Sequence, residues 1–396
     1  MVALGEIGLQ VRYHFMFKKI LKIMILTASV SYAEGQHYAI IIDAGSTGSR
    51  IHLFSEDASA QVPQITDVFT EKVKPGLSSF TANPVDAGAS IGKLIADANE
   101  KLSSLGVDPK DVSVSVMATA GMRALPIETQ SQIYQNIRTY LTENHYDNPL
   151  AFIGTITGQQ EALYGWLDVN YLNHTFTSNT YSLGSIDLGG ESTQIAYEIP
   201  SNDSNTIPNI ISLSINGKIY RVFGISFLGL GQDKSRQTMN QMATAPFCYP
   251  AGYSGEVSGN YNFEGCTANY DELLSSYNIN AQLPAIPENE IFVAYSSIYY
   301  AYHFFDLTQS PDENNVRHRV QEICSLSWSD LQADYPSENP QYLSSYCANG
   351  TYIHELLYTQ YQLTGDQLNV TDQVQNQAID WSLGAMLYSS LTSRSQ

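Results

Sequence analysis

The sequence predicts an α/β protein built from two similar lobes that face each other across a cleft. Two observations carry this expectation. The first is a distant repeat. Residues 40–54 read IIIDAGSTGSRIHLF and residues 185–197 read SIDLGGESTQIAY. Asp187 falls on Asp43, Gly189 on Gly45, Thr193 on Ser49, Gln194 on Arg50 and Ile195 on Ile51, at a constant offset of 144 residues. Each copy is a strand, a tight Gly-rich loop and a returning strand. The second observation is the alternation of strand and helix patterns between the copies, which calls for mixed sheets with helices outside. At 396 residues the chain is too long for one small core and fits two domains with a modest tail.

The elements follow in order. Arg12, Lys18, Lys19 and Lys22 precede an apolar run, Ile23 to Val30, and Ser31 and Ala33 place small residues before a cut. Residues 1–33 therefore read as a secretory signal peptide, with an apolar run too short to span a bilayer. A secreted or periplasmic chain without a stable membrane anchor is expected. After the first hairpin, Phe69 to Val73 continues the sheet. Asn83 and Pro84 open a helix whose apolar residues run from Ile91 to Leu105, and Gly106 ends it. Val112 to Ala118 alternates as a strand, Pro126 opens a second helix, and Phe152 to Ile156 is a strand. Thr157 and Gln160 make a capping box, placing Glu161 in the first turn of the next helix. Ile211 to Gly229 is rich in strand formers, 245–290 is loop-heavy and held by the first cysteine pair, Phe292 to Phe305 is aromatic, and 322–331 and 346–358 are helical in part. Gln373 to Leu391 reads as an amphipathic terminal helix returning to the first lobe.

Asp and Glu number 39 against 19 Lys and Arg. Loss of residues 1–33 removes four basic residues and one acid, moving the net charge from −20 to −23. Such a chain does not bind nucleic acid through bulk charge, and a free nucleotide would be repelled unless local Arg residues and a divalent metal received it. Four cysteines in an exported chain imply two disulfides. Three pairings are possible, and Cys248–Cys266 with Cys324–Cys347 closes the short loops. Neither a C-x-x-C nor a paired-His spacing accompanies them.

The residues support phosphoryl chemistry. The first loop offers backbone N–H groups, the hydroxyls of Ser46, Thr47 and Ser49, and the Arg50 guanidinium, a set suited to phosphate. Arg123, in a second Gly-containing loop, is a further candidate. Asp43 and Asp187 would hold a hydrated Mg²⁺ or Ca²⁺. Glu161 can draw a proton from water, and Ser192 and Gln194 can hold that water without becoming nucleophiles. The chain lacks G-x-x-x-x-G-K-[ST], H-E-x-x-H and G-x-S-x-G. His52 and His354 read as packed or surface residues.

Five segments, IIDAGSTGSRIHLF (41–54), MATAGMRAL (117–125), GQQEALYGWLDVNY (158–171), IDLGGESTQIAY (186–197) and DWSLGAMLY (380–388), together resemble the nucleoside triphosphate diphosphohydrolase, or apyrase, family. The resemblance covers nearly all the mature chain. It implies the duplicated actin/Hsp70/hexokinase fold, with lobe I at 36–159 plus 373–396 and lobe II at 160–372. It implies stepwise hydrolysis of nucleoside tri- and diphosphates to monophosphate, in a chain expected to be monomeric. The base maps to Glu161, the water-holding pair to Ser192 and Gln194, and the rest of the water's surroundings to Thr119 and Ala120. Metal hydration maps to Asp43, Asp187 and Trp381. Phosphate contacts map to Ser46, Thr47, Ser49, Arg50, Arg123, Gly189 and Gly190, and base stacking to Tyr300, Tyr346 and Tyr352. Two positions depart from the family pattern: Glu191 where a small residue is more usual, and Thr47 where many animal members carry His. Competing readings are an exopolyphosphatase or a sugar/acetate-type kinase of the same superfold, and a non-catalytic nucleotide-binding protein. An export signal disfavours the kinase, the Tyr-rich second lobe the polyphosphatase, and the joint presence of Glu161, Ser192 and Gln194 the non-enzyme.

Overall fold

The computed structural model describes residues 36–178, 180–200, 207–309 and 311–394. The signal peptide expected over 1–33 lies outside the described residues. Two mixed sheets carry the fold. The first is formed by β1 (Gln36–Ala44), β2 (Ser49–Asp57), β3 (Gln64–Val73), β4 (Ser113–Ala118) and β5 (Leu150–Thr155), in the order β3-β2-β1-β4-β5. β1, β2 and β3 are antiparallel neighbours, and β4 and β5 add in parallel.

The second sheet repeats this plan. It holds β6 (Gly184–Leu188), β7 (Ser192–Glu198), β8 (Ile210–Ile215), β9 (Lys218–Leu228), β10 (Phe292–Ser296) and β11 (Leu368–Val370), in the order β11-β10-β6-β7-β9-β8. Read from β9, the order β9-β7-β6-β10-β11 matches the first sheet strand for strand, with β8 as an added edge. The register repeats as well. Asp43 pairs with Arg50 across β1 and β2, and Asp187 pairs with Gln194 across β6 and β7. The duplicated α/β architecture expected from the repeat is the one observed.

Helix α1 (Val85–Leu105) stops at Gly106, whose φ of 73° places it in the left-handed region that a helix C-cap favours. It packs with α3 (Ile127–Glu143) over the first sheet, burying Ile91, Leu94, Ile95, Ile133 and Ile137 with Val114 and Val116. Between them, α2 (Ala120–Arg123) is a single turn following β4. Helix α4 (Gly158–Leu172) begins with the expected capping box, in which Thr157 Oγ1 accepts from the Gln160 N–H and Gln160 Oε1 accepts from the Thr157 N–H. Its residues from Glu161 to Asn170 are all buried, the mark of a helix enclosed on every side. Trp166, Leu167 and Val169 join a core with Val222, Val293 and Leu387.

Both expected disulfides are present, and all four sulfurs sit in the core beneath the second sheet. The loop-heavy 245–290 stretch includes a 13-residue helix, Phe263–Ser275, capped by Asn262. One expectation is corrected. The terminal helix does not start at Gln373. It spans Trp381–Ser393, and the preceding residues form a small hairpin, β12 (Gln373–Val374) and β13 (Gln377–Ala378). Gln375 and Asn376 both have positive φ there, the requirement of a tight two-residue hairpin turn, which overrides the apolar periodicity. The helix lies along α4 and also reaches the first three strands. Among the described residues, no helix is long and apolar enough to cross a membrane.

Candidate active site

The loop between β1 and β2 and its counterpart between β6 and β7 meet each other. A Cβ placed on Gly190 would lie 3.0 Å from Ser46 Oγ and 3.4 Å from Thr47 Cγ2. Each loop is also buttressed from behind by a glycine, three residues past β3 in the first sheet and three past its counterpart β9 in the second. A Cβ on Gly76 would lie 2.4 Å from the carbonyl oxygens of Gly45 and Ser46, and one on Gly231 would lie 2.2 Å from the Glu191 nitrogen. Backbone against backbone leaves no room for a side chain at either position, so both loops are held as rigid turns.

Between the loops opens a cavity of about 560 Å³. Of the residues expected at the site, Asp43, Ser46, Thr47, Arg50, Thr119, Ala120, Glu161, Asp187, Gly189, Gly190, Ser192, Tyr300 and Trp381 all line it. The lining holds eight carboxylates against three basic side chains, Arg50, Lys72 and His52.

Glu161 is only 8% exposed and stands at the centre of a polar cluster. Its Oε2 accepts from Arg123 Nη2 at 2.6 Å and lies 3.2 Å from Gln194 Nε2. Gln194 Nε2 also donates to Ser192 Oγ at 2.6 Å and to Ser226 Oγ at 2.8 Å. Burial pushes the Glu161 carboxyl above its ordinary range, and the Arg123 charge opposes this without cancelling it.

Asp43 and Asp187 occupy equivalent strand ends. Burial drives both carboxyls up, Asp187 to about 7. For Asp43 the neighbouring Asp380 and Glu161 charges add to the effect. Each keeps one buried carboxylate oxygen, Oδ1, without a hydrogen-bond partner. Two orphaned hard oxygens in an acid-rich cavity fit a divalent cation. Among the described residues, no group of three or more His, Cys, Asp or Glu is gathered tightly enough to hold a metal alone. The donor set therefore fits an ion that keeps much of its water.

A second network backs the first loop. Asp380 caps the terminal helix by accepting from the Ser382 N–H, and its own N–H donates to Asp168 at 2.8 Å. Its carboxylate receives Arg50 at 2.7 Å and lies 3.2 Å from His52 Nε2. His52 Nδ1 is 2.7 Å from Asp67. Burial alone would lower the His52 pKa, but Asp380 and Asp67 outweigh it and raise it to about 10. His52 is packed, as expected, and also joins the site as a cation. Trp381 stacks on Tyr164 with ring centres 6.2 Å apart.

Five expected site residues are placed otherwise. Gln194 is absent from the cavity lining and lies buried behind it, against Ser192 and Glu161. Ser49 is fully buried and faces the core, because strand alternation turns it away from the side that Arg50 occupies. Arg123 is absent from the cavity lining; its guanidinium is engaged by Glu161 and by the Ile156 carbonyl. Tyr346 lies outside the cavity with its ring stacked on Phe304, centres 4.0 Å apart. Tyr352 is 1% exposed and its hydroxyl donates to the Leu230 carbonyl, so it is a core residue with no face for a base. Tyr300, by contrast, is 62% exposed at the cavity edge. Sequence reasoning missed Lys72 and Asp233 in the lining and Ser226 and Asp168 behind it. Asp380 stood in a quoted motif, where its position just before a helix was the available signal.

The sequence profile of the GDA1/CD39 (nucleoside phosphatase) family matches residues 29–395. The chain belongs to that family. As a GDA1/CD39 protein it is a hydrolase of phosphoric anhydrides. It is 27% identical to ectonucleoside triphosphate diphosphohydrolase 1 of Bos taurus, over 91% of this chain and 82% of that protein. It is 26% identical to probable apyrase 3 of Arabidopsis thaliana, over 90% of this chain and 83% of that one. Among solved structures it resembles nucleoside triphosphate hydrolases from Neospora caninum, with a TM-score of 0.67 at 14% identity over 91% of this chain and 93% of that one. It also resembles an Aquifex aeolicus Ppx/GppA family member, with a TM-score of 0.55 at 12% identity over 90% of this chain and 99% of that one. At these identities the structural likeness establishes the fold alone, the actin-like one.

Proposed function

We propose that this GDA1/CD39 protein is an exported, divalent-metal-dependent apyrase. It removes the terminal phosphate from nucleoside triphosphates and then from the diphosphates, leaving monophosphate. One observation carries the reading. A single cavity is lined by a buried carboxylate, Glu161, and by Ser192, with Gln194 touching both from behind, between two Gly-rich loops whose aspartates each keep an unsatisfied oxygen. In the reaction Glu161 takes the proton of a water that Ser192 and Gln194 hold, with Thr119 and Ala120 completing its surroundings. Ser46, Thr47 and the Gly189–Gly190 backbone receive the phosphate oxygens, and Arg50 is the nearby guanidinium. Asp43 and Asp187 would hold Mg²⁺ or Ca²⁺ through water, with Trp381 walling the same pocket. When bound, the ion supplies the positive charge that an acid-lined cavity lacks for a polyphosphate tail. Tyr300 offers a face for the base, whose stacking tolerates different bases. In this reading lobe I comprises 36–159 plus 373–396 and lobe II 160–372, one sheet in each. The names of the bovine and Arabidopsis relatives support this reading.

The test is phosphate release from ATP, ADP, AMP, UTP and polyphosphate, each with Mg²⁺, Ca²⁺ or EDTA. Release from the tri- and diphosphates, none from AMP, and loss in EDTA are expected. Turnover of polyphosphate alone, or full activity in EDTA, would overturn the proposal.

A further inference from the structure

Ser226 lies on β9 directly opposite Gln194 in the antiparallel ladder. Its Oγ is 2.8 Å from Gln194 Nε2 and 3.4 Å from Arg123 Nη2. Helix α4 begins immediately above it, since a Cβ on Gly158 would lie 2.4 Å from Ser226 Cβ. The serine thus touches three parts of the Glu161 cluster: the strand bearing Gln194, the start of the helix bearing Glu161, and the arginine that binds Glu161.

We propose that Ser226 is a positioning residue for hydrolysis, acting through the Gln194 amide. The inference rests on the reading that Ser192 and Gln194 hold the attacking water. The Gln194 amide nitrogen carries two protons and has three acceptors within reach: Ser192 Oγ at 2.6 Å, Ser226 Oγ at 2.8 Å and Glu161 Oε2 at 3.2 Å. The two serines are the nearer pair and take both protons. The amide plane is then fixed. The Ser192 hydroxyl, having accepted, keeps its own proton for the water or the base, and Glu161 keeps the lone pair it needs for the water. Without Ser226 the second amide proton turns to Glu161 Oε2 and makes the carboxylate a weaker base.

The experiment compares wild type, Ser226→Ala, Gln194→Ala and the double variant in nucleoside diphosphate hydrolysis with Mg²⁺, alongside their melting temperatures. Ser226→Ala is expected to lower kcat about tenfold with KM within about twofold of wild type and an unchanged melting temperature. The double variant is expected to be no slower than Gln194→Ala. Ser226→Cys, similar in shape but a weak acceptor, keeps the packing under Gly158 and is expected to show the same loss. Unchanged kcat in the serine variants, losses that multiply in the double variant, or a kcat loss that follows a fall in melting temperature would each overturn the proposal. A wild-type protein that releases no phosphate would sink the apyrase reading instead, so the two failures are distinguishable.

Discussion

Replacing Glu161 by Gln removes the proposed base while keeping its shape and one acceptor oxygen. The expected cost divides into two parts. A positioned general base contributes about 10²–10⁴ in rate, or about 3–5 kcal/mol of barrier, and that loss falls on kcat. The stability cost is smaller. Truncating one member of a buried ion pair costs about 3–5 kcal/mol when the partner charge is stranded. Arg123 is not stranded, because it keeps the Ile156 carbonyl at 3.3 Å and Ser192 Oγ at 3.2 Å, and the Gln oxygen remains an acceptor. The desolvation that raises the Glu161 pKa is also relieved. A net loss of about 1–2 kcal/mol is expected. The assay pairs steady-state phosphate release with equilibrium binding of a non-hydrolysable triphosphate and a urea unfolding curve. Binding within about threefold of wild type and a kcat at least a hundredfold lower are expected. A kcat within tenfold of wild type refutes the base assignment. Loss of binding in step with turnover refutes it too, since Glu161 would then be holding the cavity together.

Arg123→Met removes the charge that lowers the Glu161 pKa, so the acid limb of the pH–rate profile should move to higher pH, and a limb that stays put or moves down contradicts the electrostatic account. Glu290 tests linkage away from the site. Burial, then the Glu198 charge, raises its pKa from 4.5 to about 8, so the folded state holds the proton longer than the unfolded chain between those values. Stability from this group is present below about pH 4.5 and falls as pH rises toward 8. Glu290→Gln should therefore gain up to about 5 kcal/mol over wild type at pH 9 and nothing at pH 4, read from urea midpoints, and equal gains at both would exclude the mechanism. Each disulfide closes a short loop, of separation 18 and 23 residues, and should contribute about 3 kcal/mol. Replacing both members of either pair by Ala should lower the unfolding midpoint, and an unchanged midpoint would show that the surrounding core suffices.

Much of this was legible because the informative features are local. The hairpin loops, the Thr157 capping box and the Gly106 stop each depend on a few adjacent residues, and the 144-residue offset reappears as identical register in two sheets. What failed to show depends on distant contacts or on competing local signals. Gln373 to Ala378 has helical periodicity, yet the turn at Gln375 and Asn376 prevails. Tyr352 and Tyr300 are the same residue type, and only packing makes one core and the other surface. Ser226 reaches Gln194 across a strand pair, and nothing in its own neighbourhood marks it. Ser49 is turned inward for a reason that is local, because adjacent residues of one strand point to opposite faces.

The terminal helix has a consequence for how the protein comes into being. Asp380 and Trp381 are the last residues of the cavity lining to be translated, yet the Asp380 carboxylate grips Arg50 beside the first loop while its backbone N–H donates to Asp168 inside α4. A nascent chain that has already made both hairpins still lacks this keystone, with Arg50 and His52 missing their shared counter-charge. The cavity therefore becomes complete only once this helix has joined the two hairpins, rather than growing in with each lobe.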